Sequence, residues 1–191
     1  MIDFFNFHPD AFIACALLLG LLAGSFINVL AWRLPKMLEQ DWQSQARELL
    51  DLPEPAKRPV YNLRHPRSHC PACTHPLRLR DNIPVLSYLF LRGKCAHCQT
   101  AISLRYPFTE LACAVLSAVV AWHFGFGAQA GWMLLLTWGL LAISLIDAKH
   151  QIVPDMLVFP LLWLGLLLNS FDLFTSLPQA VWGAALGYAS L

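Results

Sequence analysis

From Leu111 to Ile146 the chain runs without a single Asp, Glu, Lys or Arg. One membrane-crossing helix needs about 20 apolar residues, at 1.5 Å each, for a hydrocarbon core of about 30 Å. The stretch is too long for one span. Gly125, Gly127 and Gly131 interrupt it, with Gln129 among them, so it reads as two helices joined by a tight turn. Ala11 to Trp32 is likewise uncharged and long enough to cross. Met156 to Phe171 reads as a fourth span, and Ala180 to Leu191 opens a fifth. With 57% hydrophobic and 13% charged residues, the composition excludes an ordinary soluble domain.

The first run is not read as a signal peptide. No Lys or Arg precedes it, Asp3 and Asp10 do, and it is long for the apolar core of a leader. The basic residues are confined. Of 13 Lys and Arg, only Lys149 falls outside Arg33 to Arg105. Positive charge accumulates on the cytoplasmic side, which puts the N-terminus outside and this loop inside. The last run stops at Leu191 without a polar tail, so the sequence is expected to be a fragment or a truncated chain.

The loop has two parts. Between Pro35 and Pro55, Leu38, Trp42, Gln45, Ala46 and Leu49 form a rough helical stripe opposite Glu39, Asp41, Arg47 and Glu48. This is a surface helix over the loop's own core, or a helix in the membrane interface, against which its acids count. From His69 to Arg105 the sequence repeats itself. Cys70 and Cys73 form one C-x2-C, Cys95 and Cys98 another, 25 residues on. Each precedes an alternating, strand-like segment, Leu77-Leu79-Arg80 in one and Ile102-Leu104-Arg105 in the other. Two such turns can present four thiolates to one tetrahedral zinc ion. The competing reading, two disulfides, conflicts with a reducing compartment. His69, His75 and His97 are surplus to a four-thiolate ion and read as surface residues. Cys15 and Cys113 lie in apolar runs and read as packing residues. A bound metal would supply folding free energy that so small a polar unit lacks.

Asp147 closes a long apolar helix. A charge inside a membrane costs about 3 kcal/mol, so such an acid is a functional candidate. It can also be a helix-end acid beside Lys149 and His150, facing water. Asp155, after Pro154, has ordinary helix-start chemistry. Asp172 reads as a loop residue. Glu110 is either a helix-start acid or a buried site residue.

Ordered blocks through the whole chain resemble the bacterial type IV prepilin leader peptidase/N-methyltransferases. The first is Gly24-Ser25-Phe26-Ile27-Asn28-Val29 with Arg33-Leu34-Pro35. Then come the CPAC knuckle, Asp81-Asn82-Ile83-Pro84, Ser87-Tyr88-Leu89 and Leu91-Arg92-Gly93-Lys94-Cys95. Ile102-Ser103-Leu104-Arg105-Tyr106-Pro107, Glu110, Asp147 and Val153-Pro154-Asp155 complete the series. The resemblance implies a membrane aspartic peptidase of eight spans in the bacterial inner membrane. It would cut the basic leader from prepilins and from the pilin-like precursors (pseudopilins) of type II secretion. It would then methylate the new N-terminus with S-adenosylmethionine. The first catalytic aspartate of the family falls on Asp147. The second lies in a G-x-G-D motif, which these residues do not contain, so residues 1–191 alone are expected to lack peptidase activity. Gly93 and Lys94 are candidates for the methyltransferase half, or simply a turn before a zinc knuckle.

The expected fold class is an all-α polytopic membrane protein, about five spans of eight, with a small four-cysteine zinc-ribbon-like loop domain. The divisions are 1–32 (outer N-terminus and first span), 33–106 (cytoplasmic loop) and 107–191 (spans two to five). The expected metal ligands are Cys70, Cys73, Cys95 and Cys98, and the expected catalytic residue is Asp147. Zinc and S-adenosylmethionine are the expected cofactors; prepilin and pseudopilin precursors and membrane lipid are the expected partners, with no nucleic acid. Two other functions compete. One is a truncated, non-catalytic zinc-loop module of a pilus or secretion system. The other is a thiol–disulfide enzyme, disfavoured because redox proteins use one reactive C-x2-C pair rather than two matched ones.

Overall fold

A computed structural model describes residues 2–53 and 60–190. In chain order the helices are α1 (Ile2–Phe7), α2 (Pro9–Leu49), a 3-10 turn (Leu79–Asn82), α3 (Leu86–Phe90), α4 (Arg105–Phe124), α5 (Ala128–His150), α6 (Asp155–Asn169) and α7 (Leu177–Ala189). Parts of α2, α4 and α5 are long and apolar enough to cross a membrane. This is the all-α membrane architecture expected from the uncharged runs.

Helix α2 corrects one expectation. The helix expected after Pro35 is the continuation of the first span, not a separate element; its far end at Pro55 lies outside the described residues. Proline removes a helix hydrogen bond and crowds the preceding turn. Here packing outweighs that cost: Arg33, Leu34 and Pro35 are all buried, and Leu34 and Ala31 pack on Ile146 of α5. The 41 residues of α2 extend about 60 Å, twice a hydrocarbon core, so a membrane span takes up only part of it.

The bundle is held by close approach rather than by bulk. A Cβ at Gly24 would lie 2.7 Å from the Glu110 Cα, and one at Gly20 would lie 2.7 Å from the Ala114 Cα. Glycines four apart therefore let α2 lie directly on α4, the way helices associate where lipid is as apolar as leucine. Ile27, Cys113 and Ala142 join α2, α4 and α5 in one buried cluster. Ser117 on α4 donates to the Cys113 carbonyl and accepts the Trp138 indole N–H at 2.9 Å, satisfying a buried polar pair between α4 and α5. Large side chains such as Leu18, Leu22, Val115 and Trp122 face outward.

The α4–α5 turn uses Gly125, in the left-handed region at φ +65°, and Gly127. Gly131, expected in that turn, lies inside α5. Helix α6, with 15 residues, starts one residue before the expected fourth span and ends two before it, and α7 begins at Leu177 rather than Ala180; Leu191 lies outside the described residues.

The strand-like segments expected after each knuckle do not form. Among the described residues there are only two isolated antiparallel bridges, His69–Pro76 and Lys94–Ala101. Pro76 has no N–H to extend a ladder. Leu79–Asn82 instead winds into the 3-10 turn, and Arg105 starts α4.

Candidate functional site

The two C-x2-C turns fold alike. The Cys70 amide donates to the His75 carbonyl, Thr74 to Cys70 and Leu77 to Ser68; 25 residues on, Cys95 donates to Thr100, Gln99 to Cys95 and Ile102 to Gly93. Thr74 and Gln99 both take positive φ, 56° and 59°, to close their turns. The sequence repeat is thus a repeat of two knuckles facing each other. The four Sγ atoms lie within 4.8 Å of one another. Cys70 Sγ and Cys98 Sγ are 3.8 Å apart. Four sulfurs around one zinc at about 2.3 Å would be separated by roughly 3.8 Å, so the donor set fits a tetrahedral ion. The cluster could hold a metal ion, and no other group of three or more His, Cys, Asp or Glu among the described residues could. None of the cysteines is in a disulfide.

The sulfurs do not share charge easily. The Thr100 hydroxyl and amide hydrogen-bond to Cys98, and with the Cys73 and Cys95 thiols they pull it down to about 6. The Cys73 and Ala72 amides hold Cys70 below the usual thiol range. At Cys73 the His75 amide pulls down, but burial and the Cys98, Cys70 and Cys95 thiols together push it up to about 11. Four adjacent thiolates repel unless a cation sits among them, and a divalent ion would remove that conflict. His75 and His97 stack on each other with ring centroids 4.4 Å apart, beside the knuckles rather than completing the donor set. Gly93 has a conformational reason to be glycine: φ is +69°, and a Cβ would meet the Tyr88 hydroxyl at 2.7 Å.

Arg33 and Glu110 tie this lobe to the bundle, and Asn28 ties α2 to the first turn of α4 beside it. Arg33, buried, donates to the carbonyls of Asn62 (2.9 Å), Leu63 (3.3 Å) and Pro66 (2.6 Å). Asn28 donates to the Tyr106 carbonyl at 3.1 Å. Glu110, also buried, accepts the Val85 N–H at 2.7 Å, and the Ser25 hydroxyl faces the same carboxylate. It lies beyond the first turn of α4 and is buried, so it is not a plain helix-start acid. None of these contacts could be read from spacing, because they join residues 25 to 78 positions apart.

Asp147 lies on an exposed face one turn before the end of α5, and its carbonyl accepts the Gln151 N–H at 2.8 Å. Two residues earlier, the Leu145 carbonyl accepts from Arg105 at 3.3 Å, which sets Asp147 level with the start of α4. Lys36 and Lys149 lie 4.3 and 4.0 Å from the Trp32 ring centroid at the same end of the bundle. Asp155 is exposed in the first turn of α6, and Asp172 sits in the α6–α7 connection at φ +52°.

Residues 18–124 match the bacterial peptidase A24 N-terminal domain, and residues 134–191 match the type IV leader peptidase family. A protein of Stutzerimonas stutzeri named prepilin leader peptidase/N-methyltransferase is 59% identical over 190 residues, and one of Pseudomonas aeruginosa with the same name is 59% identical over 191. A Neisseria gonorrhoeae protein of that name is 48% identical over 177 residues, 92% of this chain and 62% of its own length. The first two are matched over 100% of this chain and 66% of their own length. No solved structure matches.

Proposed function

The chain belongs to the bacterial A24 peptidase family, and from that premise we propose that the protein removes the basic leader from type IV prepilins and pseudopilins and methylates the exposed amine. The observation that carries the reading is the identity of 59%, across all of this chain, with proteins named for both activities.

Asp147 is the proposed catalytic carboxylate. An aspartic peptidase needs two carboxylates at one depth that share a proton, one activating water and the other polarising the scissile carbonyl. Asp147 is open to a peptide and level with the helix ends; the family resemblance assigns its partner to a G-x-G-D motif. The leader would be met on the cytoplasmic side, with the N-terminus outside and the protein in the inner membrane. Residues 1–32, 33–106 and 107–191 then act as anchor, platform and peptidase bundle.

Zinc is the metal that four thiolates best suit, and a site closed by four ligands has no open position for substrate. Its proposed role is structural: Cys70, Cys73, Cys95 and Cys98 would fix the two knuckles. S-adenosylmethionine would supply the methyl group. The positive φ of Gly93 and its closeness to Tyr88 give the glycine a turn role, and Gly93 and Lys94 stay candidates for the methyltransferase half.

The test is intact-mass analysis of a precursor incubated, in lipid with S-adenosylmethionine, with protein that carries the G-x-G-D aspartate as well as Asp147. Loss of the leader together with gain of one methyl group is the expected result. An unchanged precursor mass would refute the reading. Residues 1–191 alone, with one carboxylate of the dyad, are expected to leave the precursor uncut.

A further inference from the structure

Helix α3 has no buried residue, although its sequence is almost wholly apolar. Leu86 is 49% exposed, Leu89 64% and Phe90 83%, and Ile83 just before them is 45% exposed. Tyr88 is the member that turns inward, onto Gly93. Such a cluster on a lobe surrounded by water would be unfavourable.

Its height relative to the bundle is fixed. The Val85 N–H, at the start of α3, is bonded to Glu110. Glu110 lies five residues into α4, about 8 Å along a helix whose 20 residues match a hydrocarbon core of about 30 Å. A carboxylate cannot reach far beyond its own turn, so α3 starts within about 8 Å of the depth at which such a span enters the bilayer. Charge agrees with depth. Between Asn82 and Thr109 there is no acid, whereas the exposed Arg92 and Lys94 follow the apolar cluster directly. An apolar face with basic residues beside it is the composition of a segment lying in the interface of an anionic membrane.

We propose that α3 is a membrane-docking element: Ile83, Leu86, Leu89 and Phe90 enter the acyl–headgroup boundary, while Arg92 and Lys94 meet lipid phosphates. The interfacial helix considered for the Pro35–Pro55 segment is therefore here instead. The metal lobe rests on the bilayer through α3, with Glu110 as the pin that sets its height. This depends on α4 crossing a membrane and not on the reaction proposed above.

The test places the photo-crosslinker p-benzoyl-phenylalanine at Phe90, in the 191-residue chain, in nanodiscs of phosphatidylethanolamine and phosphatidylglycerol. The same probe at Trp122, on the outward face of α4, and at Trp42, on the second half of α2, gives the two references. Lipid adducts at position 90 should come close to those at 122 and exceed those at 42 by about tenfold. The probe at Leu89 should behave like that at 90, which guards against a local fault at one position. Lipid adducts no higher than at position 42, or adducts mainly to a second copy of the chain, would overturn the proposal.

Discussion

Removing the Glu110 carboxylate gives the sharpest local prediction. Val85 sits at φ +60°, ψ −48°, the centre of a γ-turn closed by the Leu86 N–H on the Pro84 carbonyl at 2.5 Å. That conformation is rare and strained, more so for a β-branched residue, at a cost of about 1–3 kcal/mol. The Val85 N–H donates to a Glu110 carboxyl oxygen at 2.7 Å, in a partly buried setting. Glu110→Ala leaves that N–H unpaired, a loss of about 1–3 kcal/mol. Taking about 2 kcal/mol, the turn opens roughly 30-fold more often, since each 1.4 kcal/mol is a factor of ten. Amide hydrogen exchange in nanodiscs reads this directly. The Val85 amide should exchange about 30-fold faster in Glu110→Ala and only about fivefold faster in Glu110→Gln, which keeps an acceptor oxygen. The middle of α5 should be unchanged. An unaltered Val85 rate in Glu110→Ala, or equal acceleration along the whole chain, would refute the reasoning.

Other perturbations test other joints. Zinc should be found at about one per chain, and the Cys70→Ser/Cys73→Ser variant should lose it, read by elemental analysis; metal-free protein with an ordered loop would contradict the site. Arg33→Lys replaces a fork of donors by one ammonium, which cannot serve the carbonyls of Asn62, Leu63 and Pro66 together. Trypsin should then cut at Arg64 or Arg67 about tenfold faster. Gly24→Leu overpacks the α2–α4 contact and should cost about 1–3 kcal/mol, seen as a lower thermal midpoint in detergent. Gly183→Ala is the comparison, because a Cβ there meets nothing within 4 Å, and it should leave the midpoint unchanged.

Much of the fold was legible because a bilayer leaves few options: uncharged runs of sufficient length must be helices, and α2, α4 and α5 follow. The metal cluster was legible because four ligands in two matched turns are a local pattern. Two kinds of feature were not. Pro35 looked like a boundary, yet the contacts of Leu34 and Ile146 carry α2 through it. The strand-like alternation after each knuckle was a local preference with no partner strand, so Leu79–Asn82 and Arg105 took helical turns instead. Arg33 and Glu110 needed the tertiary structure, because what they hold is backbone far away in sequence. The Gly20 and Gly24 spacing was a readable signal for the α2–α4 contact that the apolar pattern alone obscured.

The central claim is that peptide-bond cleavage depends on Asp147. It is tested most directly by Asp147→Asn in a strain whose precursor processing depends on this protein, with Asp155→Asn beside it. Asp147→Asn should accumulate uncut precursor while the protein is made at normal level and keeps its metal. Asp155→Asn, which changes only a helix-start acid, should still process it. Normal processing by Asp147→Asn would contradict the account.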